Sequence, residues 1–196
     1  MRVSSPHRTS AALVVTVSLG LIACSGREHD SVERGAYLAT IGGCHDCHTP
    51  KVFSATGPEL DQSRLLAGHP ASDVLPGLPL HTIGASQWGA VTNVHLTAWA
   101  GPWGVSYAAN LTPDATGLRD WTVEQFIATM RSGKHAADGR ALLPPMPWNN
   151  YAQMSKSDLR ALFAYLRSLP PVANAVPPPV LPVPPAMATA PTDAGS

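Results

Sequence analysis

The last apolar stripe of the chain repeats at positions i, i+3, i+4, i+7 and i+10. Its members are Leu159, Leu162, Phe163, Leu166 and Leu169. This spacing predicts a helix that buries one face. Ser155 lies just before the stripe, where a hydroxyl side chain favours the start of a helix. Pro170 and Pro171 follow it and end the helix, because proline cannot continue the backbone hydrogen bonds.

Two earlier segments also predict helices. One begins near Ser31 and ends at Gly42-Gly43, and Asp30 and Glu33 have the spacing of a capping box. The other begins at Thr122, with Gln125 three residues later, and ends at Gly133. Its apolar face consists of Phe126, Ile127 and Met130. The predicted fold is therefore all-α.

The segments between and after these helices lack helical periodicity. Residues 51–109 hold frequent glycine and proline, and only Val91 to Thr97 alternates as a strand would. We therefore expect an irregular insert, with at most a small hairpin. The final segment, residues 170–196, has nine prolines in 27 residues, which predicts a disordered proline-rich tail that is extended and mobile.

The N-terminus has the pattern of an export signal. Arg2 and Arg8 precede an apolar run of thirteen residues, 11–23, which is too short to span a bilayer as a stable helix. The sequence Leu21-Ile22-Ala23-Cys24 resembles the bacterial lipobox, which implies removal of residues 1–23 and acylation of Cys24. Residues 24–31 then form a tether. An ordinary signal with a later cut, or an uncleaved anchor, is the alternative.

The remaining chain is long enough for one domain, which we place at residues 32–169. Loss of the signal leaves 11 basic side chains against 13 acidic ones, a net charge of −2. A nucleic-acid-binding domain is typically basic, so no nucleic-acid partner is expected.

The sequence Cys44-His45-Asp46-Cys47-His48 reads C-x-x-C-H, the attachment pattern of c-type haem. Two thiols on one helical turn can reach the two vinyl groups of haem, and His48 then lies where it can bind the iron. A redox-active thiol pair or half of a zinc site is the alternative. However, the chain has only three cysteines and no second C-x-x-C pair, so the pattern predicts one haem c per chain.

Met146 is the candidate for the second iron ligand. It lies in the loop Leu143-Pro144-Pro145-Met146-Pro147, whose prolines lower the entropy cost of holding one side chain in place. A thioether ligand raises the reduction potential of haem. Four histidines are rival ligands: His69, His81, His95 and His135. Three further residues are candidates for lining the haem edge or binding its propionates: Trp121, Trp148 and Arg140.

The order of these parts resembles the class I cytochrome c family over residues 32–50 and 106–169. The resemblance implies that the first and last helices cross, with Gly35 against Tyr165. The segment Asn110-Leu111-Thr112-Pro113-Asp114 and the methionine loop also resemble cytochrome subunits of bacterial periplasmic dehydrogenases. Those subunits often carry several haems, whereas this chain has one attachment motif.

We therefore expect a mono-haem cytochrome that carries single electrons in the periplasm, rather than an enzyme. Its partners would be redox proteins, namely a dehydrogenase, an oxidase or another cytochrome, and a membrane reached through the lipid anchor. Cys44 and Cys47 would hold haem, and His48 and Met146 would bind its iron. Two alternatives remain: a haem enzyme or gas sensor with an open iron site, and a haem-containing assembly lipoprotein.

Overall fold

Three helices form the centre of the protein. The computed structural model describes residues 31–77 and 89–182, and within them α1 covers 31–41, α3 covers Val123–Ser132 and α5 covers Lys156–Ser168. The buried side chains of the core are Ala39, Leu66, Leu118, Phe126, Met130, Leu159, Leu162, Phe163 and Leu166. The predicted apolar stripe of α5 therefore supplies four of the core residues, and the rings of Phe126 and Phe163 join α3 to α5 with their centroids 5.2 Å apart.

Some sequence predictions concern residues outside the described ranges. They are the signal segment 1–23, the acylated Cys24, most of the tether 24–31, the rival ligand His81 and the tail beyond residue 182. Within the described ranges, no helix is both long enough and apolar enough to cross a membrane.

Helices α1 and α5 pack closely at Gly35. A Cβ atom built on Gly35 would lie 2.6 Å from the Cβ atom of Tyr165 and would also meet the backbone of Ala161. Only glycine allows the two backbones to approach this far. Beside the crossing, Arg34 Nε lies 3.0 Å from Asp158 Oδ1. The contact between Gly35 and Tyr165 that the family resemblance implied is confirmed.

The helix boundaries follow the capping signals of the sequence. The Thr122 hydroxyl accepts a hydrogen bond from the Gln125 amide, and the Gln125 side chain accepts one from the Thr122 amide, so the predicted capping box is present. Gly133 ends α3 with a left-handed φ of 66°, and the Ser155 side chain caps α5 by accepting from the Asp158 amide. Two short helices complete the set, α2 (Cys44–His48) and α4 (Trp148–Tyr151).

The all-α prediction is wrong, because the region between α2 and α3 contains two antiparallel sheets. The first pairs β1 (Lys51–Ser54) with β2 (Gly57–Leu60), and a short 3-10 helix (Gln62–Arg64) follows. The second has the order β3-β4-β5, with β3 (Val91–Thr92), β4 (Ala98–Gly101) and β5 (Gly104–Tyr107). Strands of two to four residues are too short to show a clear period in sequence.

The strand predicted from Val91 to Thr97 is a strand only at Val91–Thr92. The chain then turns through residues 93–97, with Leu96 at a left-handed φ of 58°. The Asn93 side chain accepts hydrogen bonds from the amides of Thr97 and Ala98 and holds this turn in place. Asparagine commonly bonds the nearby backbone in this way, and that preference outweighed the apolar alternation.

The proline-rich segment after α5 is not disordered as far as residue 182. Residues 170–182 form no helix, and several of them make hydrogen bonds to the domain. Val180 forms an antiparallel bridge with Val105 of β5, and the Asn174 side chain bonds the backbone of the 67–71 segment. The prediction failed because it judged the segment by its composition, whereas specific backbone hydrogen bonds hold it.

Candidate functional site

A largely apolar cavity of about 780 Å³ opens between α2, α3, β5 and the methionine loop. Pockets that bind small molecules and cofactors typically measure about 300–1,000 Å³. Its apolar walls include Leu118, Phe126, Met130, Leu162 and Leu166 of the helical core. The helices therefore build a cofactor-sized space in the interior instead of filling it with side chains.

Cys44 and Cys47 lie at the wall of this cavity, one helical turn apart on α2. Both are free thiols, and burial raises the pKa of Cys44 to about 11 and raises that of Cys47 as well. Each side chain is therefore a neutral thiol at neutral pH. Within the described ranges, no group of three or more His, Cys, Asp or Glu side chains is arranged to hold a metal ion.

His48 lines the cavity, and a hydrogen bond fixes one of its ring nitrogens. The side chain is buried, and its Nδ1 atom donates to the Ala109 carbonyl at 2.8 Å. A carbonyl oxygen can only accept, so the proton is on Nδ1 and the Nε2 lone pair is free to bind a metal. Burial lowers the pKa of His48, which keeps the imidazole in the neutral form that a metal requires.

Lys51, the first residue of β1, caps the C-terminal end of α2. Its Nζ atom donates to three backbone carbonyls, those of His45, Asp46 and Thr49, at 3.3, 2.9 and 2.6 Å. A cation favours this end of a helix, where carbonyl groups lack partners. This role was not predicted, since a lysine three residues after the motif carries no recognised signal in the sequence.

Tyr151 is a second functional residue that was not predicted from the sequence. It lies on α4, lines the cavity, and donates its hydroxyl hydrogen to the Gly42 carbonyl just ahead of the motif. Burial raises its pKa to about 12, so the hydroxyl keeps its proton and remains a donor. The bond ties the methionine-loop side of the cavity to the cysteine side.

Met146 lines the same cavity as the two cysteines and His48. Its loop is fixed by local hydrogen bonds, from the Met146 amide to the Leu143 carbonyl and from the Trp148 amide to the Met146 carbonyl. The Ser106 hydroxyl on β5 donates to the Pro144 carbonyl at 2.6 Å and attaches the loop to the second sheet. Thus the fold brings all four predicted haem-site residues to one cavity.

The rival histidines differ in position. His69 is fully buried, with Nδ1 bonded to the Thr97 hydroxyl and Nε2 to the Asp73 carbonyl, and it does not line the cavity. His95 accepts a hydrogen bond from the Lys51 amide and also lies away from it. His135 does line the cavity, and its ring packs edge-on against Trp121. Of the three rival histidines within the described ranges, His135 is the one that lies at the cavity.

Two of the three residues predicted at the haem edge line the cavity, Trp121 and Arg140. Arg140 is partly exposed, and its Nε atom lies 3.6 Å from Asp138 Oδ2. Trp148 is not among the lining residues and packs instead against Gly133 at the end of α3. These contacts place one arginine side chain at the wall of a largely apolar space.

The residues present fit a c-type haem. The macrocycle needs an apolar cavity, its vinyl groups need two thiols one turn apart, and its iron needs a neutral imidazole with one free nitrogen. All of these occur at one cavity, at Cys44, Cys47 and His48. The redox and zinc alternatives do not account for an apolar space of this size beside the thiols.

Comparison with known proteins leads to the same class. The chain is 31% identical over 167 residues to the gluconate 2-dehydrogenase cytochrome c subunit of Pantoea cypripedii. The matched region covers 84% of this chain and 29% of that protein. It is 28% identical over 167 residues to the cytochrome c subunit of a quinone-dependent alcohol dehydrogenase from Gluconacetobacter polyoxogenes, covering 84% of this chain and 28% of that protein. The fructose dehydrogenase cytochrome subunit of Gluconobacter japonicus is 30% identical over 69% of this chain and 21% of its own length.

The chain thus spans less than a third of the length of these curated relatives. No protein-family model matches it. The similarity to the first of them extends over 84% of this chain. These relatives are cytochrome c subunits of bacterial dehydrogenases, which supports a place for this chain in the cytochrome c family, and its cofactor is covalently bound haem c.

Proposed function

We propose that this protein is a mono-haem cytochrome that carries single electrons between a dehydrogenase and a second redox protein in the periplasm. The observation that carries the proposal is the presence of Cys44, Cys47, His48 and Met146 at the wall of one apolar cavity. A bound haem iron supplies the chemistry by alternating between the ferric and ferrous states.

The side chains of α2 have separate roles in this proposal. Cys44 and Cys47 would hold the haem covalently, each through one of its vinyl groups. His48 binds the iron through Nε2, while the bond from Nδ1 to Ala109 keeps the ring in one orientation. Lys51 holds the carbonyl end of α2, so that the two sulfurs and the imidazole keep a constant relative position.

Met146 is the second iron ligand in this proposal. Its support is the position of the residue at the cavity and the hydrogen bonds that fix its loop to β5. An iron with both axial positions filled by protein exchanges electrons with little rearrangement and leaves no site for a small molecule. This separates the proposal from that of a haem enzyme or gas sensor.

The dehydrogenase partner is proposed from the relatives. Three of them are named as cytochrome subunits of gluconate 2-, alcohol and fructose dehydrogenases. A dehydrogenase that removes electrons from its substrate needs an acceptor, and a covalent haem in an exported domain is suited to that task. In this chain the export and anchoring steps depend on residues 1–24, with Cys24 as the acylated residue.

The test is to express the exported protein, denature it and stain the gel for haem peroxidase activity. We expect a stained band at the size of the chain, lost when Cys44 and Cys47 are both replaced by alanine. Potentiometric titration of the native protein should then give one transition of one electron. Unstained wild-type protein would contradict the proposal, as would a titration with more than one transition.

A further inference from the structure

We propose that the segment from Asn174 to Val180, here called the proline strap, is a wall of the haem site and limits the access of water to the haem. Neither the attachment motif nor the relatives' names assign a role to this segment. The inference rests on the proposed haem function, but it concerns residues that lie outside the motif, the methionine loop and the helices.

The strap is anchored at its first residue. Asn174 Nδ2 donates to the carbonyls of Ala67 and His69 at 2.7 and 2.8 Å, and Asn174 Oδ1 accepts from the Ala71 amide at 2.8 Å. The Asn174 amide donates to the Thr116 hydroxyl at 3.0 Å. One side chain therefore satisfies three backbone groups of a loop that is distant in sequence. Such bonds are costly to leave unmade once the groups are buried.

The strap is anchored again at its last residue. The Val105 amide donates to the Val180 carbonyl at 2.7 Å, and the Val180 amide donates to the Val105 carbonyl at 2.9 Å. The neighbouring Gly104 has a left-handed φ of 95°, and any Cβ there would collide with the Val180 backbone. The strap thus extends the second sheet by one antiparallel bridge at β5.

Between these anchors the strap faces the cavity. Its five middle residues, Ala175, Val176, Pro177, Pro178 and Pro179, all line it. Three consecutive prolines have fixed φ angles and no free amide hydrogen, so they form a stiff wall that does not need water as a hydrogen-bond partner. A composition that predicts disorder in isolation is here suited to closing an apolar space.

The consequence for the site is electrostatic. A low-dielectric environment disfavours the more highly charged ferric centre, so excluding water raises the reduction potential. A wall also keeps small soluble reagents away from that side of the cofactor. The strap therefore favours the ferrous state and directs electron exchange to the rest of the haem edge.

The test compares Val180→Pro with Val180→Ala in the full-length holoprotein. Proline removes the amide that donates to Val105, whereas alanine keeps it and changes only an exposed side chain. Asn174→Ala tests the other anchor. We expect Val180→Pro and Asn174→Ala to lower the midpoint potential and to speed oxidation by ferricyanide several-fold, with Val180→Ala close to wild type.

Two outcomes would overturn the proposal. One is that the proline and Asn174 variants keep the wild-type potential and oxidation rate with haem attached. The other is that hydrogen exchange at the Val105 and Ala71 amides is as fast in the wild type as in these variants, since the strap is then not seated. Hydrogen exchange of the holoprotein reports whether the strap is seated and does not depend on the measured potential, whereas a failed haem stain counts against the proposed function alone.

Discussion

The hydrogen bond from His48 Nδ1 to the Ala109 carbonyl decides which atom of the ring can bind iron. Ala109 lies 61 residues after His48 in the chain, just beyond β5. The segment that follows the second sheet therefore orients a side chain of α2. Lys51 also lies outside α2 and fixes part of it, because its ammonium group bonds the carbonyl groups at the end of α2.

Replacing Met146 by alanine should open the iron to an external ligand. The thioether stabilises ferrous iron, so its loss should lower the midpoint potential and allow reduced protein to bind carbon monoxide. Optical titration with carbon monoxide measures both the binding and its affinity. Met154→Ala is the matched control, because Met154 packs on the core but does not line the cavity.

If His135 is the second ligand instead, His135→Ala will bind carbon monoxide and Met146→Ala will not. This pair of variants separates the two residues that the geometry retains at the cavity.

Replacing Lys51 by methionine should destabilise the folded protein by about 1–2 kcal/mol, since three carbonyls lose a charged donor. Denaturant unfolding of the holoprotein measures the change. Lys156→Met is the control, because Lys156 is exposed at the start of α5. Equal stability of the two variants would show that Lys51 does not cap α2.

At the scale of the elements, the crossing of α1 and α5 holds the motif against the core. α1 leads directly through Gly42 and Gly43 into α2, so any shift of α1 also moves Cys44 and Cys47. α5 forms the opposite wall through Leu162 and Leu166. The close contact at Gly35 therefore sets the width of the cavity as well as the stability of the helix pair.

Replacing Gly35 by alanine should lower the free energy of unfolding by about 1–3 kcal/mol, through overpacking against Tyr165 and the α5 backbone. The direction of this change is informative, because replacing glycine by alanine at an uncrowded helical position normally raises the free energy of unfolding. Chemical denaturation measures the change. Gly77→Ala, where an added Cβ meets no atom within 4 Å, is the control. A stabilised Gly35→Ala protein would refute the tight crossing.

The three long helices and the chemistry of the site were readable from the sequence because each has a local signal. The capping pair Thr122 and Gln125 marks α3, and C-x-x-C-H marks α2. The sheets were missed because their short strands are stabilised by pairing with distant residues, for example Ala98 with Tyr107. The bond from Ala109 to His48 was missed for the same reason, since a backbone carbonyl carries no sequence signal.

At the scale of the whole molecule, the segments before and after the domain have different tasks. The chain after α5 returns along the cavity and closes it, as the bridge between Val105 and Val180 indicates. The chain before α1 carries the predicted export signal and Cys24. The domain with its strap would then be presented on the outer face of a membrane, where soluble or membrane-bound redox partners meet it.

Replacing Cys24 by serine should release the protein from membranes or leave its signal uncut. A serine at this position has no thiol to acylate, and stable anchoring needs more than one lipid chain. Membrane fractionation and the mass of the N-terminal peptide report the two results. Cys24→Ser protein that is still processed and still membrane-bound would contradict lipidation at this residue.

The central claim is that Cys44, Cys47, His48 and Met146 hold one electron-carrying haem. The visible and near-infrared spectrum of the purified protein, recorded oxidised and reduced, tests it most directly. We predict low-spin c-type haem in both states, with the near-infrared band of thioether-bound ferric iron, and no change on adding carbon monoxide. A spectrum without haem, or high-spin iron that binds carbon monoxide in the wild type, would contradict the claim.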